Sequence, residues 1–348
     1  MKRLAVLALL ALPLLAQEPQ FSEKVDVNVV LLDAIVTDTK GNQILGLDKN
    51  DFIVKENGVQ QTVDSVDYFT TRKLLDAREQ NAPFKVEQVK EGRYFVFFFD
   101  KPVGTQLFSD LAQARNATRD FIEQQMLPGD QVAIVAHDFR LKVYSDFTSN
   151  KAQLMRALDQ VTSFGTGLKE APAGTAEPSI LRNMSGRDMD RTGTVYEALE
   201  LLGDSVRPIK ARKNVVLFSA GILEPGEEIR NGMVISQSQY YQPMIQALNR
   251  ANVSVYAINL IRDQVAGTPP ALHQTLERMA SETNGEYFRY PVSFTTPLKR
   301  IEKTNNGYYL ISYYARHRKG DSGFQRVDVR LANPELRIKA REGYVYGD

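Results

Sequence analysis

The chain has 348 residues, 43 of them basic and 42 acidic, with no cysteine, no tryptophan and three histidines. A formal charge of +1 supplies no global field for gripping nucleic acid or an anionic membrane. The missing cysteines exclude disulfides, thiolate nucleophiles, zinc knuckles and iron–sulfur ligands, and His137, His273 and His317 share no metal-ligand spacing.

Met1-Lys2-Arg3 opens the chain, followed by an apolar run from Leu4 to Leu15 broken only by Pro13, then Ala16 before polar Gln17. A basic start, a short apolar stretch and a small residue predict a secretory signal peptide over 1–16. The run falls short of the roughly 20 residues a spanning helix needs. The expectation is an exported protein, periplasmic or secreted, with no membrane insertion after signal cleavage. Lacking cysteine, its core must hold without covalent staples.

A β pattern fills 17–70. Val25, Val27 and Val29 alternate with Asp26 and Asn28, and an apolar stretch then runs through Val30, Leu31 and Leu32 to Val36. Asp38-Thr39-Lys40-Gly41-Asn42 is turn chemistry; as a calcium loop it fails, because Lys49 stands where the bidentate acid belongs. Asp51 to Glu56 is another strand, and Asn57-Gly58 predicts a hairpin. Residues 71–92 are charged, nearly balanced and poor in apolar partners, which predicts a solvated linker or an exposed helix with a tail.

The rhythm changes at Tyr94. Tyr94 to Phe99 is six apolar residues without alternation, as a strand buried on both faces requires, and it ends at Asp100. Helix from about Ser109 to Met126, strand Gln131–Val135, a hairpin partner around Lys142–Tyr144 and a helix capped near Asn150 follow. After a loop from Thr162 to Gly193 come a helix to Val206, the strand Val215–Phe218 and a second loop from Gly221 to Gln242. A helix bearing Ile245 and Leu248, the strand Val253–Leu260, a helix stopped by Asn284-Gly285 and a last helix with Leu298 and Ile301 end the series. Such alternation predicts a doubly wound, mostly parallel α/β sheet over 93–305. Strand patterning returns over 306–348. Neither end has strands enough to stand alone, so the two ends are expected to pair into one β-sandwich-like module with the α/β domain inserted in it.

Ligands of open α/β sheets bind beyond the carboxyl ends of the strands, the edge that collects Asp100 and the two long loops. Here the sequence resembles a known family. Tyr94–Asp100, the hairpin from Val132 through Asp146-Phe147-Thr148, Thr192-Gly193-Thr194 leading to Ala198-Leu199, and Asn214–Gly221 resemble the von Willebrand factor type A fold. The flanks, Val36-Thr37-Asp38 through Asn57-Gly58 and Tyr308–Tyr314 through Arg341-Glu342-Gly343-Tyr344, are similar to a bacterial exported group of von Willebrand factor A-related proteins. The resemblance implies adhesion or scaffolding through protein ligands, and a metal-ion-dependent adhesion site built on Asp-x-Ser-x-Ser, a Thr and a further Asp. Asp100 and Thr192 match the first Asp and the Thr, whereas Pro102, Gly104 and Ala220 stand where the other three donors belong. A hard dication left with one carboxylate and one hydroxyl would bind weakly, so no metal is expected and Asp100 and Thr192 should hydrogen-bond locally. Magnesium or manganese would need Asp188 or Asp190 as substitutes.

Enzyme readings have less to rest on. The sequence holds no phosphate-binding Gly-x-x-x-x-Gly-Lys-Ser/Thr loop and no Gly-x-Ser-x-Gly elbow. A hydrolase using His137 and Asp138 lacks an identifiable nucleophile, and Gly165-Thr166-Gly167 reads as loop slack. Tyr240-Tyr241, placed in a loop at the presumed ligand edge, suits a protein interface. The expectation is a non-enzymatic, exported module that binds a protein ligand or envelope component through Asp100, Thr192, Asp188, Asp190, Tyr240 and Tyr241, without cofactor.

Overall fold

The structure, a computed structural model, describes residues 25–70, 86–88, 92–100, 108–161, 165–209, 211–222, 228–230, 233–236, 239–261, 270–318, 321 and 323–346. The signal-peptide expectation over 1–16 lies outside them.

The chain enters through β1 (Val25–Thr37), whose thirteen residues are enough to serve two neighbours. A short 3-10 turn, Lys49–Asp51, capped by Asp48, leads into β2 (Phe52–Glu56). Asn57 and Gly58 both take positive φ, 47° and 84°, and turn the chain into β3 (Val59–Gln61). β4 (Val63–Thr70) and β5 (Val86–Gln88) follow; the latter runs parallel to β4, so part of the expected linker is strand.

The α/β part begins with β6 (Tyr94–Asp100), α1 (Phe108–Gln124), β7 (Gln131–His137), β8 (Leu141–Thr148) and α2 (Lys151–Gln160). It continues through α3 (Gly186–Arg191), α4 (Val195–Val206), β9 (Lys213–Ser219), the small strands β10 (Glu228–Arg230) and β11 (Met233–Ser236), and α5 (Tyr241–Arg250). β12 (Val253–Asn259), α6 (Pro270–Glu282), β13 (Glu286–Phe288) and α7 (Thr295–Thr304) complete it. The sheet order is β13-β12-β9-β6-β7-β8, parallel throughout except that β8 runs against β7. Two expected loops thus hold structure of their own: α3 lies inside Thr162–Gly193, and the β10–β11 pair inside Gly221–Gln242.

β6 explains the layering. Its side chains alternate between two cores: Phe95, Phe97 and Phe99 pack with Phe121, Leu158 and Leu298 from α1, α2 and α7, while Val96 and Phe98 pack with Leu199, Met244 and Met279 from α4, α5 and α6. Both faces being covered, an unbroken apolar run is what the strand needs. Beyond α6, Asn284 takes a φ of 58° and passes the chain to Gly285, where a Cβ would stand 1.6 Å from the Val255 carbonyl oxygen. Only glycine fits that approach of turn to strand.

The remaining strands, β14 (Gly307–Arg318), β15 (Gly323–Leu331), β16 (Arg337–Ala340) and β17 (Gly343–Tyr346), return to the N-terminal ones. β1 pairs antiparallel with β14 from Val25↔Arg318 to Ala34↔Tyr309, and β2 pairs with β15. A five-stranded sheet, β16-β1-β14-β4-β5, faces a four-stranded one, β17-β15-β2-β3. Between them Val30, Leu32, Ala34, Ile311 and Tyr313 meet Phe52, Val54, Val327 and Val329. The ends of the chain therefore share one sandwich core.

Charge joins this sandwich to the α/β layers. Asp33 of β1, 4% exposed, accepts from Arg212 Nη1 at 2.7 Å through one oxygen and from Arg341 Nε at 2.9 Å through the other. Arg212 also donates to the Tyr256 hydroxyl and the Asn284 carbonyl, and Arg341 to the Asn249 carbonyl and Asn252. A second lock, Arg93, grips both oxygens of buried Asp130 at 3.0 and 2.6 Å and donates to Asn306. Both lie where the parallel strands begin, far from the edge at which Asp100 sits.

Candidate functional site

At the carboxyl edge, register places the polar groups. Asp100 ends β6 opposite His137, the last residue of β7, and Phe99 pairs with Phe218, so Ser219 at the end of β9 lies beside Asp100 on its other flank. Ser219 Oγ donates to Asp100 Oδ2 at 2.6 Å and accepts from the Gly221 amide at 3.2 Å. His137 Nδ1 lies 3.8 Å from Asp100 Oδ1, too far for a hydrogen bond but close enough for charge attraction when the imidazole is protonated. Its Nε2 is buried with no hydrogen-bond partner among the described residues. Ser219 is the residue that sequence reading passed over. Its signal was present in Phe218-Ser219-Ala220, where Ala220 drew attention as the missing acid while the hydroxyl one place earlier reaches Asp100.

Thr192 is buried and its hydroxyl is committed twice. It accepts from the Leu141 amide at 2.7 Å and donates to the Met189 carbonyl at 2.8 Å. Leu141 pairs with His137, so Thr192 braces the turn between β7 and β8. Asp188 caps α3: it accepts from the Ser185 amide at 3.0 Å and the Ser185 hydroxyl at 2.6 Å, bonds that hold its carboxyl below the usual range. Asp190 is paired with Lys169 and, at 3.4 Å, with Arg140, and the Lys169 hydrogen bond lowers its pKa most. Asp138 binds Lys142 Nζ at 2.9 Å, which places its carboxylate on a lysine rather than on the neighbouring imidazole.

The tyrosine pair requires a correction. Tyr241 is not on an exposed loop: it is the first residue of α5 and fully buried. Its ring meets Tyr196 edge-on at 5.9 Å and its hydroxyl donates to Glu282 at 3.0 Å. The helix begins two residues earlier than the loop reading assumed, and the α4–α5 contact draws the ring inward. Tyr240, at the cap of that helix, is half-buried against the same core.

The long loop before α4 is anchored by another unanticipated group. Asp146, buried on β8, accepts from the Ser179 hydroxyl at 2.6 Å and from the amides of Ile180 and Leu181 at 2.7 and 3.2 Å. Gly165 in the same loop is not slack, since a Cβ there would lie 1.7 Å from the Gln160 carbonyl oxygen.

A divalent ion does not fit these donors. Asp100 gives one carboxylate already holding a serine hydroxyl, Thr192 has its proton and one lone pair engaged, and Asp188 and Asp190 serve a cap and a pair of cations. Among the described residues no group of three His, Asp or Glu side chains is placed to hold a metal. Magnesium would need near-octahedral oxygen coordination.

No family model matches the sequence, and no curated protein matches it. Solved structures similar to the chain include an aerotolerance-related membrane protein from Bacteroides fragilis, 13% identical, covering 62% of this chain and 99% of that one, with a TM-score of 0.39. The vWF domain of the type V pili tip protein Mfa5 from Porphyromonas gingivalis is 12% identical over 63% of this chain and 96% of that one, with a TM-score of 0.40. Proximal thread matrix protein 1 from the mussel byssus, in a structure with a zinc-occupied MIDAS motif, is 18% identical over 66% of this chain and 48% of that one, with a TM-score of 0.39. Counted from β6, the strand order of this sheet is 3-2-1-4-5-6, the doubly wound order, with its third strand reversed. In fold the chain is an α/β domain of this doubly wound order, set into a sandwich made by its own two ends.

Proposed function

We propose that the chain is a non-enzymatic, exported interaction protein that binds a protein ligand at the carboxyl edge of its α/β sheet without a metal ion. The observation that carries this reading is the local engagement of Asp100 and Thr192. Ser219 takes the carboxylate, and the Leu141 amide and Met189 carbonyl take the hydroxyl. Residues 165–193, pinned by Asp146, present the surface, and Tyr240 and the exposed Asp190 with its two cations form part of it. A hydrolytic reading gains nothing from the geometry, because Asp100 rather than an imidazole receives the Ser219 proton.

Calorimetric titration with magnesium or manganese is the test. No Asp100-dependent heat is expected at micromolar metal; micromolar binding abolished in Asp100→Ala would overturn the metal-free reading. Crosslinking capture from envelope extracts, with residues 165–193 exchanged in a control protein, should return a partner that the control loses.

A further inference from the structure

A cleft of about 560 Å³ opens at the other end of the molecule, between the sandwich and α7. Its floor is β1 and β16, where Ile35 stands opposite Lys339 and Thr37 opposite Arg337. Its wall is α7, which offers Lys299 and Lys303 one turn apart, and its rim is the turn Asp38–Gly41. Six cations line it, Lys40, Lys299, Arg300, Lys303, Arg337 and Lys339, in a chain whose net charge is only +1.

The two acids of the lining, Asp38 and Glu286, are already engaged. Glu286 is held by both sides of the Arg300 guanidinium at 2.7 and 3.2 Å. Asp38 accepts from the amides of Lys40 and Asn42 and from Asn42 Nδ2, each at 2.8 Å, which closes its own turn. Lys299, Lys303, Arg337 and Lys339 have no ion pair among the described residues; Lys303 donates to the Asn42 side chain at 3.0 Å. Lys339 is half-buried with its ammonium 5.4 Å from the centre of the Tyr256 ring, and burial pulls its pKa down to about 8. Such a group gains from an anion that restores what water no longer supplies.

The cations form two rows. Four residues of helix separate Lys299 from Lys303 by about 6 Å along the axis. Two residues of strand separate Arg337 from Lys339 by about 6.6 Å. An extended peptide repeats its alternate side chains at about 6.6 Å as well, so carboxylates on every second residue repeat at close to the spacing within either row. Three of the four unpaired cations are lysines, which act as point charges for single carboxylates; Glu286 occupies the fork of Arg300, which leaves Arg337 as the one guanidinium of this lining without an ion pair among the described residues.

We propose that this cleft binds an acidic polypeptide segment in extended conformation, with carboxylates on alternate residues lying between α7 and β16. The site is separate from the carboxyl edge and does not depend on what binds there.

Fluorescence anisotropy with a labelled octapeptide alternating glutamate and serine tests this directly. The peptide is expected to bind at micromolar concentration and to weaken steeply with added salt, and the same peptide with glutamine for glutamate should bind at least tenfold more weakly. The double variant Lys299→Glu/Lys303→Glu should lose at least tenfold in affinity with an unchanged thermal midpoint, both lysines being exposed. Lys339→Gln should lose a smaller factor, and Asp100→Ala none. Equal binding of the glutamate and glutamine peptides, no binding at all, or full affinity in the double charge reversal would overturn the proposal. Displacement by inorganic tripolyphosphate at lower concentration than by unlabelled peptide would overturn the assignment to carboxylates.

Discussion

The two edges of the parallel sheet handle their carboxylates differently. Where the strands begin, Asp33 lies between two guanidinium groups and Asp130 is gripped by a third, all buried. Where they end, Asp100 has a serine hydroxyl and an imidazole nitrogen 3.8 Å away. Each arginine at the first edge also ties down a backbone carbonyl of another element, so that edge is cross-linked between the sandwich and the α/β layers. At the second edge Ser219 ties β9 to β6 and Thr192 ties the end of α3 to β8, but through single hydroxyls rather than buried ion pairs. A fixed base with an edge left free to vary its loops is the division of labour this teaches.

The contrast can be broken most strongly at Asp33. Asp33→Ala would leave two buried guanidinium groups without their anion, and a loss of about 3–5 kcal/mol is expected in urea unfolding. The pH dependence follows the same residue. Burial pushes the Asp33 carboxyl up, but Arg341 and Arg212 outweigh burial and hold it below its ordinary value. A depressed folded pKa means its stabilisation is complete above about pH 4 and is lost as pH falls through the folded value. Unfolding curves of the variant should therefore be flatter than wild type below about pH 4, and parallel acid limbs would refute this account.

Lys213, fully buried at the start of β9, sharpens the contrast at the same edge. Burial, then Arg341, lowers its pKa to about 7, with Asp33 opposing. The unfolded chain keeps that proton up to about pH 10, so wild-type stability should rise with pH between about 7 and 10. Lys213→Met should remove that rise; an undiminished slope would show that another group causes it. The smallest effect is expected at the far edge. Ser219→Ala deletes a hydrogen bond to a carboxylate that water can reach and a 3.2 Å bond from the Gly221 amide, and a change of about 1–2 kcal/mol is expected by the same measurement.

Local rules made much of this readable. The run Tyr94–Phe99, the turn at Asn57-Gly58 and the stop at Asn284-Gly285 each depend on neighbours a few positions away, and the sheet, hairpin and helix end follow from them. The pairing of the two ends followed from a shortage of strands rather than from a motif. β13 escaped because three residues are too few for any period to register, and Tyr241 because nothing near it in sequence announces the α4–α5 packing. The site was half legible. Asp100 stood out as the acid that ends a buried strand and Thr192 through the family resemblance, whereas their partners Ser219 and Leu141 are set by strand register across the sheet. The Asp33 cluster was wholly hidden, since its members lie 179 and 308 positions apart.

That separation has a temporal meaning. The sandwich core cannot close until the last strands exist, because β1 and β2 wait for β14 and β15. A chain interrupted anywhere in the α/β part would carry β1 with its apolar residues uncovered and Asp33 without either guanidinium. The sandwich thus acts as a seal set only after the α/β part has been made: a product interrupted before β14 keeps an open apolar strand that chaperones and proteases can recognise.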